Sequence, residues 1–127
     1  MTIMSIVEEI VAERKRQIEV EGYSTEHDDA HRTEELMEAC LAYFWHATGT
    51  ARYGRGIPSD PPGVPDNWPW EAEQWKPKSP RRDLIRAGAL CLAEQERCLR
   101  DGYPKQVLPE QTLQKIVEAI EGLDSDE

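Results

Sequence analysis

The segment that determines the fold is a long helical pattern at residues 79–100, with the sequence SPRRDLIRAGALCLAEQERCLR. Ser79 is a suitable N-cap, and Pro80 suits the first helical position because its missing N–H would have no helical partner there. Apolar residues recur on more than one side, which predicts that this helix lies at the centre of the domain. Gly88 costs about 1 kcal/mol of helix propensity, so we expect another backbone to approach closely at that point.

A first helix is predicted at residues 5–21. Ser5 and Glu8 have the spacing of a capping box, and Gly22 is a natural stop signal. Apolar residues recur at helical spacing and predict one buried face, opposite a charged face that includes Glu13. The residues expected on the buried face are Ile3, Ile6, Val7, Ile10, Val11 and Ile18.

Two further helices complete the pattern. One follows a polar connector and runs over residues 30–48, ending before Gly49, and the last covers residues 109–121. An acidic tail at 124–127 is expected to be frayed. We therefore predict an all-α fold, a four-helix bundle-like single domain over residues 1–127.

A long Pro/Gly/Trp-rich loop, residues 49–79, joins the second and third helices. It contains six of the nine prolines, so no helix can cross it. It also contains Trp68, Trp70 and Trp75, three of the four tryptophans. Disordered segments have few aromatic residues, so we expect an ordered loop that could form the wall of a ligand site.

Composition excludes several classes of function. The 127 residues carry a formal net charge of −10, which argues against binding to duplex nucleic acid or to an anionic membrane. The sequence shows no signal peptide and no membrane span, and its three cysteines fit reduced, buried thiols. We expect a cytoplasmic protein. We also expect it to form a homo-oligomer, by default a dimer.

The loop ends in an aromatic and basic run at the start of the third helix. Tryptophan faces can stack on a base, arginines can grip phosphate with paired hydrogen bonds, and a helix N-terminus attracts anions. The predicted ligand-binding residues are Trp68, Trp70, Trp75, Lys76, Lys78, Arg81, Arg82 and Arg86, with Tyr23 and Arg16 closing the site. The alternative is that the tryptophans pin the loop to the core and the cations balance an acidic protein.

Paired carboxylates on the second helix offer a different chemistry. Glu35 and Glu38 stand one turn apart and could hold Mg²⁺. They resemble half of the E-x-x-E and E-x-x-D motifs of the MazG-like all-α nucleotide pyrophosphohydrolases. Pro80 and Arg86 stand where the second motif, built around Asp83, would need acids. If the protein is such a hydrolase, its metal ligands are Glu35, Glu38, Asp29, Asp83 and Glu94. The alternative is a solvated glutamate face.

Short segments between residues 13 and 97 form a further pattern. They are ERKRQ at 13–17, EGYS at 21–24, EHDD at 26–29, WPW at 68–70, WKP at 75–77, RDLIRAGAL at 82–90, AE at 93–94 and ER at 96–97. Their order resembles a family of small phage and prophage proteins of mostly unassigned function. The resemblance implies a phage-type accessory protein that handles nucleotides in a bacterial host.

Three functions fit these observations. The first is a non-catalytic protein without a cofactor, which sequesters a phosphate-containing, cyclic nucleotide immune signal as phage sponge proteins do. The second is a Mg²⁺-dependent MazG-like nucleoside triphosphate pyrophosphohydrolase. The third is a protein-interaction module that targets a host protein through the tryptophan loop and the acidic surface.

Overall fold

The computed structural model describes residues 5–20, 35–49, 64–65, 68–70, 72–101 and 107–125. Within these ranges every helix or strand element is a helix, which confirms the all-α prediction. The elements are α1 (Ile6–Glu19), α2 (Glu35–Thr48), a short 3-10 helix (Ala72–Gln74), α3 (Pro80–Asp101) and α4 (Val107–Ser125). None of these helices combines the length and the apolar character that crossing a bilayer requires.

The start of α1 follows the sequence prediction. The Ser5 hydroxyl accepts a hydrogen bond from the Glu8 N–H at 3.1 Å, and the Glu8 carboxylate accepts one from the Ser5 N–H at 3.4 Å. This is the reciprocal capping box, which satisfies two N–H groups that the helix itself leaves without partners. The helix ends at Glu19, two residues before the predicted end.

The buried face of α1 differs from the prediction. Val7, Val11 and Ile18 are exposed by 60 %, 51 % and 39 %, and of the residues expected inside only Ile10 is fully buried. Three polar residues are buried beside it, namely Glu13, Arg14 and Gln17. The physical reason is that α1 packs on α3, where Glu13 pairs with Arg82 and Arg14 pairs with Glu96. Ile6 is half-buried against the core, and Ile3 lies outside the described residues.

The predicted central position of α3 is confirmed, because it packs against α1, α2 and α4. Its N-cap is Ser79, whose hydroxyl accepts a hydrogen bond from the Arg82 N–H at 3.2 Å. A close contact does occur at Gly88, but with a side chain instead of the expected backbone. A Cβ atom at this position would lie 2.8 Å from Cδ1 of Ile10. The glycine therefore sets how closely α1 can pack on α3.

The remaining helix ends are defined by particular residues. Gly49 adopts a φ of +78°, the left-handed conformation that favours glycine, and ends α2 as predicted. Ile116 and Ile120 of α4 are fully buried in the core. α4 continues through Asp124 and Ser125, the first residues of the tail that we expected to be frayed.

Candidate functional site

An aromatic cluster connects the long loop to α2. It consists of Tyr43, Trp68, Trp70 and Trp75. Tyr43 and Trp75 are stacked, with ring centroids 4.5 Å apart and planes at 27°. Trp68 meets the other three rings edge-on at 5.0 to 5.5 Å and is only 8 % exposed. The rings pack on one another, the arrangement expected if the tryptophans pin the loop to the core.

Tyr43 is also a polar anchor for the loop. Its hydroxyl oxygen accepts a hydrogen bond from the Lys76 N–H at 3.2 Å. The side chain is buried, and this burial raises the pKa of Tyr43 above its ordinary value near 10. The phenol is therefore neutral at physiological pH, so the aromatic cluster adds no negative charge to its surroundings.

A cleft opens beside Tyr43, where α1, α2 and α3 meet the segment that follows the 3-10 helix. We call it the cationic cleft, and its lining residues are Arg16, Gln17, Tyr43, Gln74, Lys76, Arg86 and Leu90. Three of the predicted ligand-binding residues, Arg16, Lys76 and Arg86, thus come together. The enclosed volume is about 10 Å³, which is about the space of one water molecule.

Arg86 forms the inner wall of the cationic cleft and is only 8 % exposed. Its guanidinium lies 5.9 Å from the ring centroid of Tyr43 and donates a hydrogen bond to the Lys76 carbonyl oxygen. Two buried atoms of the lining, Nε of Arg86 and Oε1 of Gln17, have no hydrogen-bond partner among the described residues. Buried polar atoms are normally paired. These two atoms therefore offer one donor and one acceptor for hydrogen bonds with a ligand.

Glu13 positions the cation at the mouth of the cleft. Its buried carboxylate accepts hydrogen bonds from Nε and Nη2 of Arg16, at 2.8 and 2.9 Å, and another from Arg82. Burial raises the pKa of Glu13, but the hydrogen bond from Arg16 and the positive charges of Arg82, Arg16 and Arg86 outweigh it, and the net pKa is lowered. An ionised Glu13 therefore holds Arg16 in place beside the cleft.

The other predicted cations lie elsewhere. Arg81 is bound to Glu9 and Asp124, and Arg82 is bound to Glu13. Lys78 is exposed, and neither Arg81 nor Arg82 lines the cationic cleft. The aromatic cluster contains the three predicted tryptophans, of which none lines the cleft either. Tyr23 lies outside the described residues.

Asp83 lies where the loop meets two helices. The sequence names it as a metal ligand if the protein is a hydrolase, and in the structure its Oδ1 accepts the Lys78 N–H at 2.8 Å and its Oδ2 lies 3.9 Å from Nε2 of His46. Asp83 is 2 % exposed, and this burial raises its pKa. It joins the loop to α2 and α3 at a point one helical turn from Arg86.

The carboxylates expected in a metal site are not assembled into one by the described residues. Glu35 and Glu38 lie in the first turn of α2, and Asp29 lies outside the described residues. Glu94 is fully buried, with its Oε1 accepting hydrogen bonds from Arg97 at 2.6 Å and from the Cys98 thiol at 3.3 Å. Across the described ranges, no three histidine, cysteine, aspartate or glutamate side chains form a group that could hold a metal ion.

Four lining residues of the cationic cleft were not predicted from sequence, namely Gln17, Tyr43, Gln74 and Leu90. Tyr43 had a usable signal, because it continues the buried spacing of Leu36 and Cys40 at i, i+4 and i+7. Gln17 was missed because we expected the buried face of α1 to consist of apolar residues. Gln74 precedes the aromatic anchor Trp75 and had no signal of its own.

No family model matches the chain, and no curated protein and no solved structure is significantly similar to it. The resemblances to the phage family and to MazG-like hydrolases therefore stay predictions. Function therefore has to be inferred from the chemistry of the site.

Proposed function

We propose that the protein binds a phosphate-bearing nucleotide and holds it without cleaving it, with the phosphate in the cationic cleft. The observation that carries the proposal is the convergence of Arg16, Lys76 and Arg86, which come from three separate segments of an acidic chain. Cations brought together at one point favour a compact anion, and phosphate is the anion that arginine grips best.

The surroundings of Arg86 support strong binding. The guanidinium is buried, so a charge interaction with it is less screened than one at the surface. Its Nε can still donate a hydrogen bond, because it has no partner among the described residues. The neighbouring phenol of Tyr43 is neutral and does not repel an anion.

Binding a whole nucleotide requires the cleft to open, because its present volume of about 10 Å³ holds no more than a water molecule. The segment to move is the one that includes Lys76, whose backbone is held by the Tyr43 hydroxyl and the Arg86 guanidinium. Opening would separate Trp75 from Tyr43 and free a ring face for a base. Ligand binding should therefore change the environment of the Trp75 ring.

Capture without cleavage is supported by three carboxylates that are already engaged within the fold. Glu13 is held by Arg16 and Arg82, and Glu94 is held by Arg97. Asp83 is occupied by the Lys78 N–H. These groups act as acceptors within the fold, and in these positions they orient cations and backbone instead of facing a substrate.

The test is a depletion experiment. Purified protein is incubated with nucleoside triphosphates, cyclic dinucleotides and ADP-ribose, with and without Mg²⁺, and then denatured so that the released ligand can be chromatographed. We expect at least one compound to disappear from solution and to return intact. Return as monophosphate and pyrophosphate only with Mg²⁺ would favour the hydrolase, and no depletion at all would refute nucleotide binding.

Single-charge variants locate the site. Arg16→Gln and Lys76→Gln each remove one positive charge from the cleft, whereas Lys115→Gln removes one from the exposed face of α4. We expect each cleft variant to weaken binding about tenfold, which corresponds to about 1.4 kcal/mol, and the control to leave it unchanged. Equal effects of all three would mean that only net charge matters and would reject the cationic cleft as the site.

A further inference from the structure

A second concave surface lies between α3 and α4 and shares no residue with the cationic cleft. We call it the acidic groove, and its lining residues are Gln95, Glu110, Leu113, Gln114, Val117, Glu118 and Glu121. It encloses about 490 Å³, far more than the cationic cleft. The acidic groove is therefore separate from the proposed nucleotide site.

The groove exists because the apolar face of α4 is wider than the part that is fully buried in the core. Ile116 and Ile120 face the core and are fully buried. Leu113 and Val117, four residues apart, are only half-buried and form the floor of the groove. The helix therefore leaves part of an apolar stripe accessible, with the i, i+4 spacing that a partner helix can match.

The described part of the groove rim is acidic. Glu110, Glu118 and Glu121 contribute three carboxylates, and none of the described lining residues is cationic. Within the described part of the chain, the two rim amides make long hydrogen bonds, from Gln95 to Glu110 at 3.4 Å and from Gln114 to Glu118 at 3.5 Å. These exposed contacts can be exchanged for contacts with a partner at little cost.

We propose that the acidic groove docks a cationic amphipathic helix of a partner protein. Apolar side chains of that helix would cover Leu113 and Val117, and its lysines or arginines would face the three glutamates. Complementary charge selects this occupant and speeds its approach. A second copy of the chain fits poorly, because each copy carries a net charge of −10 and would bring another acidic surface to the rim.

The probe is a fluorescein-labelled synthetic helix with leucines at i, i+4 and i+7 and lysines on the flanking positions, measured by anisotropy at low and high salt. The groove variant is Glu118→Gln/Glu121→Gln. Its matched control is Glu19→Gln/Glu73→Gln, which changes the net charge equally at exposed positions outside the groove. Circular dichroism verifies that both variants are folded.

We expect the groove variant to bind the probe about tenfold more weakly and the control to bind within about twofold of the original chain. Val117→Ala changes no charge but removes apolar contact area from the groove floor. It should therefore weaken binding of the probe severalfold. Arg16→Gln should leave peptide binding unchanged, so failure of the nucleotide site and failure of the groove are distinguishable.

The proposal is overturned if both double variants lose affinity equally, since that result indicates attraction to net charge alone. It is also overturned if the groove variant and Val117→Ala bind as the original chain does. A dimer seen by sedimentation that Val117→Ala dissociates would assign the groove to a second copy and reject the cationic partner.

Discussion

The guanidinium of Arg81 on α3 donates two parallel hydrogen bonds of 2.8 Å, one to each carboxylate oxygen of Glu9 on α1. The same guanidinium also contacts Asp124 in the last turn of α4, where Nε of Arg81 lies 2.7 Å from Oδ1 of Asp124. The hydrogen bond from Arg81 lowers the pKa of Glu9. One side chain of the central helix thus ties together the two helices nearest the chain ends.

A double-mutant cycle measures the Arg81–Glu9 pair. We expect Arg81→Ala and Glu9→Ala to show a coupling of about 0.5–1 kcal/mol in the free energy of unfolding, since bidentate geometry strengthens a pair that solvent partly screens. Urea unfolding of the single and double variants provides the measurement. The coupling should shrink in 1 M salt, and additive single effects would show that the pair contributes nothing.

Replacing Gly88 by alanine tests the close approach of α1 to α3. The new Cβ would lie 2.8 Å from Cδ1 and 3.0 Å from Cγ1 of Ile10, a buried side chain with little freedom to move. The gain of about 1 kcal/mol in helix propensity should be outweighed by overpacking of about 1–3 kcal/mol. Thermal unfolding should therefore show a lower Tm.

Two further variants control this test. In α4, a Cβ added at Gly122 would have no described atom within 4 Å beyond its chain neighbours and the backbone of the helix itself. Gly122→Ala should therefore stabilise the protein by up to about 1 kcal/mol. Ile10→Val, which removes the Cδ1 atom, should recover part of the loss caused by Gly88→Ala. If the two glycine variants behave alike, the contact with Ile10 is not what restricts position 88.

Glu13→Gln tests the buried carboxylate. The net pKa of Glu13 is lowered from its ordinary value near 4.5, so its ionised form stabilises the fold above that value and the stabilisation is lost as the pH falls through the lowered pKa. At pH 7 we expect the variant to be less stable by about 2 kcal/mol, because Arg16 and Arg82 lose their charged partner.

The measurement is the free energy of unfolding of the original chain and of Glu13→Gln at several pH values from 7 to 3. The difference between them should be constant down to about pH 5 and should shrink below about pH 4.5. Glu19→Gln serves as a control for an exposed carboxylate of α1. A difference that grows as the pH falls would contradict the assigned role of Glu13.

The three cysteines should be unreactive in the folded protein. Cys40 and Cys91 are fully buried and Cys98 is 2 % exposed. The pKa of Cys40 is raised well above its ordinary value, mainly by a hydrogen bond with the Cys91 thiol and also by burial. Little thiolate therefore forms. A thiol-specific reagent such as DTNB should label none of them rapidly in buffer and all of them in denaturant. Fast labelling of even one thiol in buffer would contradict this packing.

Local rules of sequence predicted the helices well. The capping box at Ser5, the N-cap at Ser79 and the stop at Gly49 all lie where the structure has them. These signals work because each depends on neighbours within a few residues. The central position of α3 was predictable for a related reason, since apolar residues on more than one side of a helix require packing partners on each of those sides.

Long-range pairing was not predictable. Glu13 was placed on the solvent side of α1 because charge usually faces water, whereas its arginine partner Arg82 on α3 is 69 residues away. The same limit applies to the site: Lys76 and Arg86 were predicted from a basic run, but their meeting with Gln17 depends on how α1 packs on α3. Tyr43 was the one missed residue whose spacing could have revealed it.

The shared contact of Arg81 with Glu9 and Asp124 has a consequence for hydrogen exchange. Helix ends usually open one by one, and their amides exchange fastest. Here the first turns of α1 and the last turn of α4 are held by a single guanidinium. Opening at either end removes a partner that supports the other, so amide protection at the two ends should fall together when Arg81 is replaced.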